Sequence, residues 1–387
     1  MICTLLLAVI YLAFISLGLP DSLLGAAWPA MHQAMDVPVS SMGIITMVIS
    51  GVTIFTSLLS DALSRRFSTR MIVSVSVFLS ALAMYGFSCA DSFWMLVACA
   101  VPYGLSSGAI DAALNSYVAL HYSSRHMSWL HCFWGVGTIV SPFVMSHALS
   151  GGVWNDGYTA IALAQGSIGV VMLAALPLWR VNKPKTAEGG AAKSVGLIGA
   201  MKIRGVPCLL MGFFCYCAAE GAVMAWASTY LTEVRNVTAE RAAAFGSLFF
   251  IGLTAGRFLA GFVMDRLGDR KMILVGTAIS VLGIVCLILP AGGEMLSLIG
   301  LVVIGLGFAP VYPCVIHATP GNFGEEHAGA IIGIQMASAY TGSTLMPPVC
   351  GWLGNAVGFG VMPVFLLALL VLMTAMIEKT FAMTKCK

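Results

Sequence analysis

The chain alternates long apolar runs with short polar breaks. The runs continue for about 18 residues or more, close to the roughly 20 that a helix needs to cross a bilayer core. A membrane β-barrel would show instead segments of about ten residues with alternating polarity. The pattern predicts twelve spanning helices, at roughly 5–30, 40–60, 71–90, 93–119, 128–148, 159–179, 207–231, 242–264, 271–290, 295–317, 328–350 and 358–377. The longest polar gap runs from Arg180 to Val206 and divides six spans from six. The expected organisation is an N-terminal bundle over 1–180, a cytoplasmic linker over 181–206, a C-terminal bundle over 207–378 and a cytoplasmic tail over 379–387. Within the linker, Val195 to Arg204 reads as a short amphipathic segment on the membrane surface. The apolar start, Met1 to Leu19, reads as the first span and not as a cleaved signal. Its first cation is Arg65, and no small-residue cleavage site precedes the polar turn.

Composition narrows the class. Only 9% of the 387 residues are charged and 59% are hydrophobic, against about 25% charged in a soluble domain. Such a chain cannot cover a water-facing surface, and its apolar content excludes disorder. A net charge of +3 without a basic stripe gives no footprint for nucleic acid. The eleven cysteines fall mostly inside apolar runs, and their spacing matches neither a disulfide framework nor a zinc site. No metal, cofactor or enzymatic constellation is expected.

Cations set the orientation. With twelve spans, seventeen of the nineteen Lys and Arg residues collect on one side, leaving Arg235 and Arg241 on the other. Positive-inside placement then puts both termini in the cytoplasm of a plasma-membrane protein. The two halves also echo one another. Arg66-Phe-Ser-Thr-Arg70 recurs as Arg266-Leu-Gly-Asp-Arg270, Gly104-Leu105 as Gly305-Leu306, and Gly137 to Pro142 as Gly342 to Pro347. Three matches in order predict an all-α membrane protein of two six-helix bundles in parallel, pseudo-two-fold repeat.

Carboxylates inside the apolar runs are the main candidates for chemistry, because an ionisable group at mid-bilayer is costly. Asp21, Asp111 and Glu220 qualify. Asp21 follows Gly18-Leu-Pro20, which predicts a kinked or broken helix; capping of the restarted helix is the plainer alternative. Asp111 has Asn115 one turn away, a carboxylate beside an amide. Glu220 lies one turn after Tyr216, and no cation is expected at its depth, since Arg257 reads as snorkelling toward a cytoplasmic helix end. His131 and Trp134, three apart, read as one helix face able to meet a polar solute. Tyr312 and Gln335 are further candidates in the second half.

The segment from Gly261 through Asp265, Arg266, Gly268, Arg270 and Lys271 resembles the loop signature of the major facilitator superfamily, G-x-x-x-D-R-x-G-x-[RK]-[RK]. Its first-half copy, with Asp61, Arg66 and Arg70, has Ser68 where glycine is usual. The resemblance implies a cytoplasmic latch formed by Asp61, Arg66, Arg70, Asp265, Arg266 and Arg270. Gly-Ala-Ile-Asp111-Ala-Ala-Leu-Asn115-Ser-Tyr117, Met127 to Gly137, Gly18 to Asp21 and Gly342 to Pro347 are similar to the fucose:proton symporter family. That resemblance implies proton coupling at Asp21 and Asp111 and solute contacts at His131 and Trp134. This sequence departs from it with Asp in place of Glu at 111, and with His and Trp where the fucose members carry Gln and Asn.

The expected function is proton-coupled symport of a small neutral polar solute, a hexose or related sugar, by a monomer in the lipid bilayer using alternating access. Asp21, Asp111 and Glu220 would carry protons. Asp111, Asn115, His131, Trp134, Tyr216, Tyr312 and Gln335 would contact the solute. Proton-antiport efflux of amphipathic compounds, favoured by 23 methionines, and nutrient sensing without transport are the rivals.

Overall fold

The computed structural model describes residues 2–151, 153–180, 196–238, 248–289 and 293–384, and no strand occurs among them. The apolar runs become the helices α1 (Ile2–Asp21), α2 (Leu23–Ala34), α3 (Met42–Arg66), α4 (Thr69–Ser88), α5 (Phe93–His121), α6 (Ser124–Ser150) and α7 (Trp154–Ala174). After a short α8 (Gly196–Lys202) come α9 (Val206–Arg235), α10 (Leu248–Ala260), the single turn α11 (Met264–Leu267) and α12 (Asp269–Ile288). The chain ends with α13 (Gly293–Phe308), α14 (Val311–Phe323), α15 (Glu325–Val357) and α16 (Met362–Thr384). Each of the twelve expected spans coincides with one of these helices or with a broken pair. Ten stretches are long and apolar enough to cross a membrane on those grounds alone. The other two are α10, with 13 described residues, and the more polar α15, with 33. Residues 181–195, most of the expected linker, lie outside the described residues, as do 242–247 of the eighth span, Arg241 and the end of the tail.

Two spans are built from broken helices, and sequence explains both. α1 stops at Asp21 just after Pro20, and α2 restarts at Leu23 with Ser22 as its N-cap. Proline removes a backbone donor and crowds the preceding turn, so the break exposes backbone groups beside Asp21. Capping does not explain the aspartate, because Ser22 holds the cap position and its hydroxyl donates to the Thr138 carbonyl at 2.7 Å. The second break lies at Ala309-Pro310, between α13 and α14. Glycine stands at both ends of α15: Gly324 and Gly358 lie at φ +91°, a conformation that side chains with a Cβ resist.

By contact the chain forms two units, Met1–Tyr117 with Phe133–Ser194, and Val118–Cys132 with Val195–Lys387. The turn between α5 and α6 thus groups with the second half of the sequence. In the first unit Leu23, Trp28, Met31, Ile45, Phe87 and Tyr158 form the centre of a buried apolar cluster. In the second, Tyr216, Phe249 and Phe308 pack ring on ring, with centroids 5.5 and 5.9 Å apart.

Apolar lipid gives helices little reason to associate, so close backbone approach at small residues carries much of the packing. In the first unit a Cβ on Gly18 of α1 would overlap the Trp134 carbonyl of α6, and one on Gly137 would overlap the Ile15 carbonyl. A Cβ on Gly25, by contrast, would meet nothing within 4 Å. Gly18→Leu is therefore expected to abolish recovery of a monodisperse protein on size-exclusion chromatography, whereas Gly25→Leu leaves it intact.

Candidate functional site

Chemistry-bearing side chains gather in each unit separately. In the first, the break at Pro20 leaves Asp21 at the end of α1, where two other helices reach it. The Trp134 indole N–H of α6 donates to Asp21 Oδ2 at 2.7 Å, and the Tyr103 hydroxyl of α5 donates to Oδ1. Both carboxylate oxygens thus accept from side chains of other helices. Adding a proton changes the pattern, because an indole N–H cannot accept a hydrogen bond. Protonation at Oδ2 on the lone pair that holds the indole would therefore displace Trp134, whereas protonation at Oδ1 asks only that the Tyr103 hydroxyl turn round.

Further along α5, Asp111 is 4% exposed and Asn115 is fully buried. The Asn115 amide donates to the Asp111 carboxylate at 2.7 Å and to its carbonyl at 2.9 Å. The expected one-turn pairing is thus realised.

In the second unit the surroundings of Glu220 differ from expectation. Arg257 does not snorkel to an interface. It is 3% exposed and its guanidinium lies 3.3 Å from Glu220, which is 14% exposed. Arg257 lies in the last turn of α10, and its guanidinium turns inward to the carboxylate 37 positions earlier, whereas Arg266 is exposed.

An aromatic group belongs to the same unit. The His131 and Tyr312 rings meet edge to face at 4.6 Å, Tyr312 packs on Phe213 at 4.7 Å, and Tyr216 lies 6.0 Å from Tyr312. The Tyr216 hydroxyl donates to the Phe308 carbonyl at 3.0 Å. Gln335, fully buried on α15, accepts from the Thr319 hydroxyl at 3.0 Å. His131 and Trp134, expected on one face, therefore work in different units: His131 against Tyr312, Trp134 against Asp21.

The expected latch residues find varied partners. Asp61 pairs with Arg65 one turn on. Arg66 lies 5.8 Å from the Phe67 ring, and Arg70 donates to the Leu176 carbonyl at 3.5 Å. In the second unit Asp265 is 3.1 Å from Arg125 and also accepts from Ser123. Arg270 is bound to Glu378 of α16, its Nε 2.9 Å from Oε1. Arg266 is exposed. Asp269 adds a cluster that sequence reasoning did not assign: it lies 2.8 Å from His317 and accepts from Ser124 at 2.6 Å. Spacing places the charges at this end of the helices but cannot name their partners. Among the described residues no group of three metal-ligating side chains occurs.

The family model of the Major Facilitator Superfamily matches residues 10–347 and 209–383. The chain belongs to the major facilitator superfamily. Among similar members is an uncharacterised MFS-type transporter of Yersinia pestis, 27% identical over 68% of this chain and 68% of that protein. The glucose/mannose transporter GlcP of Bacillus subtilis is 20% identical over 88% of this chain and 86% of its own. A structure of the superfamily transporter FucP in the outward conformation aligns with a TM-score of 0.80 at 17% identity, covering 97% of this chain and 98% of the other; a structure of an Asn-to-Ala variant of the E. coli fucose:proton symporter FucP aligns with a TM-score of 0.75 at 17% identity, over 97% of this chain and 98% of the other. The fold expected from the sequence is therefore the one observed, that of a helical membrane transporter.

Proposed function

We propose that the chain is a proton-coupled symporter that takes up a small neutral polar solute, a hexose or related sugar, by alternating access. The arrangement of Asp21 carries the reading: a carboxylate in an apolar span, held by two donors, with a proton-dependent grip on Trp134. An indole freed by protonation can stack on a sugar ring, which links proton uptake to solute binding in one residue. The Glu220–Arg257 pair supports a neutral solute, since the arginine already has its counter-charge within the protein. Asp111 and Asn115 bind solute and proton together, while His131, Tyr216, Tyr312 and Gln335 supply further contacts. The sugar-transporting relatives GlcP and FucP agree with this class. The protein acts as a monomer in the plasma membrane with both termini in the cytoplasm, the side on which Asp61, Arg66, Arg70, Asp265, Arg266 and Arg270 form the latch.

Proteoliposomes presented with D-glucose, D-mannose, L-fucose and D-xylose test the proposal. One of these sugars is expected to draw protons inward and make the outer medium more alkaline. Asp111→Asn is expected to end that proton movement. Silence to all four sugars combined with proton-driven dye export would favour efflux instead, and uphill uptake by Asp111→Asn would remove Asp111 from the mechanism.

A further inference from the structure

A recess of about 240 Å³ lies within the first unit, directly against Asp21. Its polar wall is formed by Asp21, Ser22, Thr46, Ser50, Tyr103 and Tyr158, and the rest is apolar. Of these residues Tyr158 is the most enclosed. Tyr158 is 1% exposed, its ring stacked on Phe87 at 5.3 Å and edge-on to Trp154 at 6.0 Å. Its hydroxyl has no hydrogen-bond partner among the described residues. That hydroxyl is closed off from the recess, so the wetness of the recess rests on Asp21, Ser22, Thr46, Ser50 and Tyr103, whose polar groups offer water its partners. The recess has room for several waters, each needing about 30 Å³ in the liquid.

We propose that this recess is a water-filled antechamber that delivers protons to Asp21, with Tyr103 passing the proton on. The proposal rests on Asp21 as a coupling residue. A hydrated proton in the recess gives its proton to Tyr103 Oη, while the proton already on that oxygen moves to Asp21 Oδ1. Tyr103 stays neutral, the donor becomes water, and Asp21 becomes the neutral acid. Trp134 keeps its bond to Oδ2 until the acid proton shifts between the two oxygens, so proton arrival and indole release are separate steps. The path runs through the first unit alone.

The antechamber has two tests on the full-length protein in proteoliposomes. The first asks whether the recess is wet. Ser50→Cys is treated with methanethiosulfonate ethylammonium, which reacts with the thiolate and so needs water, and labelling at position 50 is read by peptide mass spectrometry. Its rate is expected within tenfold of that of the exposed Cys89 in the same sample, and Gly25→Leu, at a wall position where a Cβ meets nothing within 4 Å, should slow it at least tenfold. An unreactive position 50 would mean a dry recess and overturn the proposal.

The second test uses the sugar that moves protons in the panel above. Gly25→Leu is expected to slow proton-coupled uptake at least tenfold while exchange at equal pH stays within twofold, and Gly51→Leu, outside the recess lining and likewise open at its Cβ, should change neither. If Asp21→Asn still accumulates sugar, the coupling role of Asp21 fails, and with it the antechamber. If Asp21→Asn is uncoupled but Gly25→Leu conducts protons normally, the antechamber alone fails. With no responding sugar, the labelling result decides.

Discussion

Glu220→Gln is expected to destabilise the protein more than Arg257→Met, although the two substitutions break the same ion pair. Both side chains are largely buried, at 14% and 3% exposure. Removing one partner of a buried pair typically costs about 3–5 kcal/mol, because a charge is left without compensation in a poorly polarisable interior. The survivors differ, however. Arginine keeps its charge under all ordinary conditions, so Glu220→Gln strands a permanent cation. A lone carboxylate can instead take up a proton and become a neutral hydrogen-bonding group, so Arg257→Met leaves a milder defect. The double variant removes both charges and should recover most of the loss, since replacing a whole buried pair by apolar groups is often close to neutral. Melting temperatures of the four proteins in one detergent form the necessary cycle. Equal losses in the single variants, or a double variant as unstable as their sum, would show that the pair does not behave as a buried unit.

The same pair marks a limit of sequence reasoning. Glu220 is conspicuous because it interrupts an apolar run, but Arg257 was assigned to an interface on the habit of long cations near helix ends. Whether such an arginine follows the chain end or turns inward to a carboxylate 37 positions away depends on how its helix is rotated, which local composition does not state. Asp21 was recognisable for two reasons that reinforce each other, a charge in a span and a proline that breaks the helix just before it. Tyr103 was not, because a tyrosine in an apolar helix looks like packing until its distant partner is known, 82 positions away. Trp134 was singled out, yet for the solute and beside His131. Helix periodicity can place two residues on a common face, but it cannot say that α6 changes units between Cys132 and Phe133. The twelve spans were legible because each requires only local composition, and the contacts across helices were not because they depend on rotation and depth.

Asp21→Asn is expected to convert uphill uptake into equilibration. Asparagine has nearly the shape of aspartate and can still accept from Tyr103 or Trp134, so the local fold should survive. What it cannot do is bind and release a proton. A gradient of one pH unit is worth about 1.36 kcal/mol per proton, which for one proton per solute sustains about tenfold accumulation without a membrane voltage. The wild-type protein should approach that ratio in proteoliposomes, and Asp21→Asn should fall to a ratio of one. Exchange of labelled for unlabelled sugar at equal pH needs no net proton movement and should persist in the variant. Asp21→Glu, which restores an acid on a longer stem, should recover part of the accumulation if protonation is what matters. Trp134→Phe separates the two halves of the mechanism: it keeps the acid but deletes the donor to Oδ2, so proton movement should no longer require solute. Tight one-for-one coupling in Trp134→Phe would show that the indole only packs against Asp21, leaving the carboxylate to act through Tyr103 alone.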